Sequence, residues 1–354
     1  MSKFTRSADA SHRLSLAAME EASRVGLRTA DIEHLLLALV IDRDRAGSVL
    51  RSHGLTLDAT RAGIAAQHAA HLAVIGVSAQ GPEAGRIVFH ETDGYAWSDR
   101  AQRIFSSANR RGRSGDAVAV LRELLAEPSG FIEAVLTEVG ASRAAIEGDL
   151  AALDDPAARA AAPAPPTGGA ARRGTGPLAG TTEAFVPAPL AEVWALLSDP
   201  ARMPEWQPSV ASVSAHPEPA AGGSAEPGAS DERGTIWSAR ATTTRPDGSE
   251  LRVGEAFRRL RIELLLHDPE RRITWRLAFP DARQANTRAF DIRLAPEADG
   301  TRLRIDFAWE RPADGVRRGG VLGPLLGVLL RPAHRLLVWV QLSQLVSSIS
   351  RVFR

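Results

Sequence analysis

Apolar residues in the first part of the chain return every three or four positions; in the last part they return every second position. Leu14, Leu16, Ala17, Ala18, Met19 and Ala22 share one face ahead of Gly26, a natural helix stop. Asp31 stands before IEHLLLALVID, where Ile32, Leu35, Leu36 and Leu39 keep helical spacing, which predicts a second helix capped by Asp31. A third short helix carries Ala46, Val49 and Leu50 and ends near Gly54, and Thr56 or Asp58 caps a fourth. The same order then returns. Ala101, Ile104 and Phe105 open one helix, Val118, Leu121, Leu124 and Leu125 form the next, and Ile132, Val135 and Leu136 precede Gly140. AGSVLRSHGLTL aligns with FIEAVLTEVGAS, and a duplicated set of helices accounts for the recurrence.

From about residue 180 the period changes to two. TTEAFVPA predicts a short strand, and Pro189 and Leu190 open a helix with Val193, Trp194, Leu196 and Leu197. Trp237, Ala239 and Ala241 then alternate with polar residues. So do Ile273, Trp275, Leu277 and Phe279; Phe290, Ile292 and Leu294; and Leu303, Ile305, Phe307 and Trp309. One wet face and one buried face per strand predict an antiparallel sheet. Leu251, Val253 and Phe257 are out of phase with Leu260, Ile262, Leu264 and Leu266, so a single strand here needs a bulge or break near Arg258–Arg259. A long helix from about Leu325 to Phe353 is expected to cover the sheet.

Between these regimes, residues 154–178 are rich in Ala, Pro and Gly and have almost nothing to bury, which predicts a disordered linker. The expected domains are therefore 1–153, all-α, and 179–354, α+β, and residues 215–234 read as a long loop within the second. A length of 354 residues agrees with two cores. A net charge of +1 favours neither nucleic acid nor an anionic membrane. With no cysteine there are no disulfides, thiolate nucleophiles or thiolate metal sites. Lys3 is the only lysine and lies in no Gly-rich loop, so a P-loop is missing. GxSxG and HExxH are missing too, and no catalytic residue, metal or cofactor is assigned. The N-terminus lacks the apolar core of a signal peptide, and Arg331, His334 and Arg335 interrupt the most apolar stretch well short of the roughly 20 residues of a membrane span. A cytoplasmic protein is expected.

Two resemblances add to this reading. FTRSADASHRLSLAAMEEASRVGLRTADIEHLLLALV and VLRSHGLTLD resemble the N-terminal repeat domain of Clp-type AAA+ unfoldases over roughly residues 3–150, with Phe4, Thr5, Glu33, His34, Leu35 and Leu36 on the family pattern. In the second repeat Ala119 and Val120 are read as standing where Glu and His would lie. The resemblance implies recognition of proteins rather than chemistry: a Clp protease component or its substrates as partner, with Glu33 and His34 as recognition candidates. Some members of that family bind phosphoarginine through a glutamate at the Glu33 position. FVPAPLAEVWALLSDPARMPEWQPSVASV resembles the START-like, polyketide cyclase/dehydrase-like branch of the SRPBCC superfamily over residues 180–354. That implies a helix-grip fold, with a curved antiparallel sheet around a long C-terminal helix, and a cavity for a hydrophobic small molecule such as a lipid or polyketide.

Trp206, Trp237, Phe257, Trp275, Phe290, Phe307 and Trp309 are the candidates for the cavity lining; a filled core uses the same residues equally well. Glu33 and His34 also fit a plain helix-capping role. His68 and His71 share a helix face without further ligands nearby in sequence, so they are read as solvated. Glu255, His267 and Asp268 are titratable but display no pairing. The expected function is a non-ATPase binding protein that couples protein recognition to binding of a hydrophobic molecule. The alternative is a cyclase- or dehydratase-like enzyme acting in the cavity.

Overall fold

The computed structural model describes residues 3–78, 85, 87, 94–110, 114–154, 179–218, 234–245, 248–282, 284–310 and 331–354. Residues 155–178 of the expected linker, 219–233 of the expected loop and the predicted start of the last helix lie outside the described residues. The chain divides into two compact units, Met1–Thr167 and Gly168–Phe353.

The first unit is helical: α1 Lys3–Arg24, α2 Ile32–Val40, α3 Arg45–Ser52, α4 Leu57–Val74, α5 Asp99–Ala108, α6 Ala117–Leu125, α7 Phe131–Val139 and α8 Arg143–Ala152. Two short strands, β1 Thr29–Ala30 and β2 Ala96–Trp97, pair in parallel just ahead of α2 and α5. The halves repeat down to their caps. Thr56 accepts from the Ala59 N–H at the start of α4, and Ser142 accepts from the Ala145 N–H at the start of α8. Gly54 (φ +81°) and Gly140 (φ +83°) end the preceding helices in the left-handed region. Packing is reciprocal as well, α4 lying on α7 and α8 on α3.

These caps correct the alignment of the second repeat. Asp31 caps α2 and Asp116 caps α6, so Val118 and Ala119, not Ala119 and Val120, stand opposite Glu33 and His34. Val120 and Leu121 then match Leu35 and Leu36, and all four are fully buried. Repeating helical periodicity alone tolerates a one-residue slip between copies, and the cap fixes it.

The second unit is a seven-stranded antiparallel sheet: β3 Ala179–Val186, β4 Val210–Val213, β5 Ile236–Ala241, β6 Arg259–Asp268, β7 Arg272–Ala278, β8 Thr287–Glu297 and β9 Gly300–Glu310, in the order β3-β9-β8-β7-β6-β5-β4. Two helices, α9 Leu190–Ser198 and the short α10 Met203–Trp206, connect β3 to β4, and α11 Arg331–Val352 follows β9. Val193, Leu196, Leu197, Met203, Val338, Leu342, Leu345 and Ile349 from these helices meet the inward residues of the strands in one core. A Cβ on Gly180 would stand 2.5 Å from Val338 Cγ1, so glycine lets α11 approach β3 closely.

The outward face is charged in the predicted alternation. Arg272 pairs with Asp291 at 2.7 Å, Arg276 with Glu310 at 3.2 Å and Arg302 with Glu297 at 2.7 Å. The phase break falls at Arg258–Arg259 as expected, but the segment before it is different. Leu251–Phe257 is no part of the strand: Glu255–Phe257 forms a 3₁₀ turn, and β6 starts only at Arg259. The irregularities that interrupt the ladder fall between Leu264 and Leu266 and between Val210 and Ser212. Each adds a residue on one strand, which bends a sheet locally.

Candidate functional site

The seven candidate aromatics differ in burial. Trp206 and Trp275 are wholly buried, and Phe290 and Phe307 nearly so. Trp275 packs edge-on against Trp237 at 5.9 Å, and its Nε1–H donates to the Leu197 carbonyl at the end of α9, 3.0 Å away. That bond meets one of the carbonyls a helix C-terminus leaves open and ties α9 to the sheet. Trp206, on α10, has no acceptor for its Nε1–H among the described residues. These rings pack within the core.

Phe290 stands opposite both Trp275 and Phe307, so the three form one cross-strand row, and the aromatics beyond it are partly open. Phe307 contacts Phe290 at 5.1 Å and Trp309 at 5.2 Å, and Trp309 is only partly buried. Phe257 is 42% exposed and meets Phe279 edge-on at 5.2 Å. Beside it an open depression of about 760 Å³ is lined by Phe257, Pro280, Asp281, Ala282, Gln284 and Ala285.

A residue that sequence reasoning passed over lies against Phe279, whose ring meets Phe257 at this mouth. Arg288 on β8 sits directly between Leu277 on β7 and Trp309 on β9. Leu277 belongs to the core, and residues opposite one another in an antiparallel ladder share a face, so Arg288 is on the inner face. Its guanidinium lies 5.6 Å from the centre of the Phe279 ring, within cation–π range. No carboxylate pairs with it among the described residues, and burial alone pushes its pKa below the ordinary arginine value. The nearby acids are engaged elsewhere, Asp281 with Arg259 at 3.0 Å and Glu310 with Arg276 at 3.2 Å. The signal was present in the sequence: Arg288, Phe290, Ile292 and Leu294 share one parity, so a charge heads an inward row.

Residues 178–345 match the family model described as polyketide cyclase/dehydrase and lipid transport. This region is a polyketide cyclase-like domain. No curated protein matches the sequence. Among solved structures, DynU16 of the dynemicin biosynthetic locus is 18% identical over 49% of this chain and 46% of its own length, with a TM-score of 0.27. This chain thus spans less than half of DynU16. A Chromobacterium violaceum protein is 19% identical over 49% of this chain and 99% of its own, with a TM-score of 0.29. The Polyketide_cyc-like protein Cgl2372 from Corynebacterium glutamicum is 18% identical over 49% and 90%, with a TM-score of 0.29.

The titratable residues noted in the polyketide cyclase-like domain lie on two elements. His267 stacks on Trp194 of α9 at 5.1 Å, Asp268 ends β6, and Glu255 lies on the 3₁₀ turn. Among the described residues no group of three His, Asp or Glu is placed to hold a metal, and no helix is long and apolar enough to cross a membrane.

In the helical unit, His34 closes a capping box: the Asp31 side chain accepts from the start of α2, and His34 Nδ1 accepts from the Asp31 N–H at 3.1 Å. Burial, first, holds the His34 pKa below its ordinary value, against the pull of Glu33. Glu33 is 9% exposed, and its carboxylate lies 3.7 Å from His68 Nε2. His68 and His71 both contact the Phe131 ring, at 5.2 and 5.9 Å.

Proposed function

We propose that the polyketide cyclase-like domain binds a hydrophobic small molecule at the open end of its inner face, without carrying out chemistry on it. The observation that carries this reading is the division of the aromatics. Trp206 and Trp275 are wholly buried in the core, while Phe257, Phe279 and Trp309 are partly open, with Phe257 at the edge of an open depression. The family description, which includes lipid transport, supports the same reading. A cyclase or dehydratase would need an acid and a base that converge on one bound atom. His267, Asp268 and Glu255 do not meet at the mouth, so the binding role is the stronger of the two.

The helical unit, in this reading, is a Clp-type recognition module in a cytoplasmic protein that neither hydrolyses ATP nor cuts peptides. Its support is the resemblance of the first repeat and the retention there of Glu33, which the second repeat replaces with Val118. Because Glu33 is largely buried, a partner would reach it through the rim formed with His68.

The test of the small-molecule role is mass spectrometry of material released by denaturing the full chain purified under native conditions. An apolar compound at near one equivalent, and its loss on Trp309→Ala, is the expected result. A protein that yields no small molecule, and whose melting is unmoved by fatty acids, sterols and aromatic polyketides, contradicts it.

A further inference from the structure

We infer that the molecule bound at this mouth carries an anionic group, a carboxylate, which pairs with Arg288 while the apolar body lies against Phe257, Phe279 and Trp309. The inference rests on the proposed binding role and specifies its ligand.

An arginine stays protonated under all ordinary conditions, so its charge has to be accommodated wherever the fold places it. On the outer face of this sheet Arg272, Arg276 and Arg302 each have carboxylates at 2.7–3.3 Å. Arg288 is the contrast. It points to the inner face between Leu277 and Trp309, its guanidinium lies over the Phe279 ring, and nothing among the described residues neutralises it. Removing a charge from water without a counter-charge is unfavourable, and burial here does lower the Arg288 pKa.

The geometry suits a single class of ligand. A guanidinium presents a planar fork of N–H donors that matches a carboxylate in two parallel hydrogen bonds. The surrounding rings offer apolar contact and no acceptor that would compete for it. A neutral apolar molecule would leave the cation unpaired, and a small hydrophilic anion would forgo contact with Phe257, Phe279 and Trp309. An amphipathic acid satisfies both.

The experiment uses the full chain and a matched pair of probes, laurate and dodecanol, titrated below their aggregation limits by calorimetry at neutral pH. Laurate should bind roughly 10- to 100-fold more tightly than dodecanol, the ratio expected for a charge-assisted hydrogen bond in a shielded site. Arg288→Met should remove that preference and leave dodecanol affinity nearly unchanged, and Arg288→Lys should keep part of it. If both probes bind with equal affinity, the apolar site stands and the anion inference is overturned. If neither binds, both fall. The comparison of the two probes on the parent protein decides the matter even if Arg288→Met fails to fold.

Discussion

Arg13 in the helical unit and Arg288 in the polyketide cyclase-like domain are both largely withdrawn from water, and their surroundings are opposite. Arg13 reaches Asp9, Asp42 and Asp44 from one side chain, with Asp42 at 3.1 Å. Burial works against its charged form, but the three carboxylates outweigh that and its pKa is raised. Arg288 faces an aromatic ring and, among the described residues, no acid, and its pKa is lowered by burial alone. The first arginine completes a network that joins α1 to the α2–α3 connection. The second leaves a valence open at the edge of an apolar surface. The same side chain thus marks structure where its partners are inside the fold and marks a site where they are missing from it.

The sharpest way to break this comparison is to remove each charge. Arg13→Met should cost on the order of 3 kcal/mol, because it leaves the buried Asp42 carboxylate without its cation. Arg288→Met should lie within about 1 kcal/mol of the parent, since an unpaired charge is replaced by an apolar group of similar reach. Urea unfolding of the two variants reads the difference, and equal losses would mean that Arg288 is structurally partnered after all.

A smaller effect separates the two units by pH. His34 is held neutral by burial, and Nδ1 must be unprotonated to accept from the Asp31 N–H. Its pKa in the folded state lies below that in the unfolded state, so the unfolded chain takes up more protons as pH falls. The stability it contributes is present above the unfolded value of about 6.5 and is lost on acidification below it. Helix circular dichroism in urea should therefore report a midpoint that declines from about pH 6.5 downward. His34→Gln keeps an acceptor for the cap but cannot titrate, so its decline should be shallower. Parallel curves would exclude His34 as a source of the pH dependence.

A small change in stability is also expected for Phe257→Ala. With 42% of the residue exposed, the loss should stay near 1 kcal/mol, against about 3–5 kcal/mol for the wholly buried Trp275→Ala. Thermal melts of the pair test whether the aromatics really divide into packing and mouth.

Much of this organisation is legible in the residue pattern, and the limits have physical causes. Helical spacing with Asp31 and Thr56 located α2 and α4, and alternation located β7, β8 and β9, because each buries one face and the period records which. Leu251 and Val253 alternate like strand residues, yet they lead into a 3₁₀ turn, since a short apolar alternation carries no information about a pairing partner. The aromatic set could not be divided from sequence: Trp206 and Phe257 have the same hydrophobic character, and only the packing of α10 buries the first completely. Arg288 was legible in principle, as a charge in the inward phase of β8, but its meaning depends on which carboxylates stand near it in space.

The central claim is that ligand meets the open end of the inner face and leaves the buried core around Trp206 and Trp275 untouched. The indole N–H resonances of ¹⁵N-labelled full chain, assigned by single Trp→Phe substitutions and followed during a laurate titration, test it most directly. The account predicts that Trp309 shifts progressively to saturation while Trp206 and Trp275 stay in place. Shifts at Trp206 and Trp275 with Trp309 unmoved would contradict it.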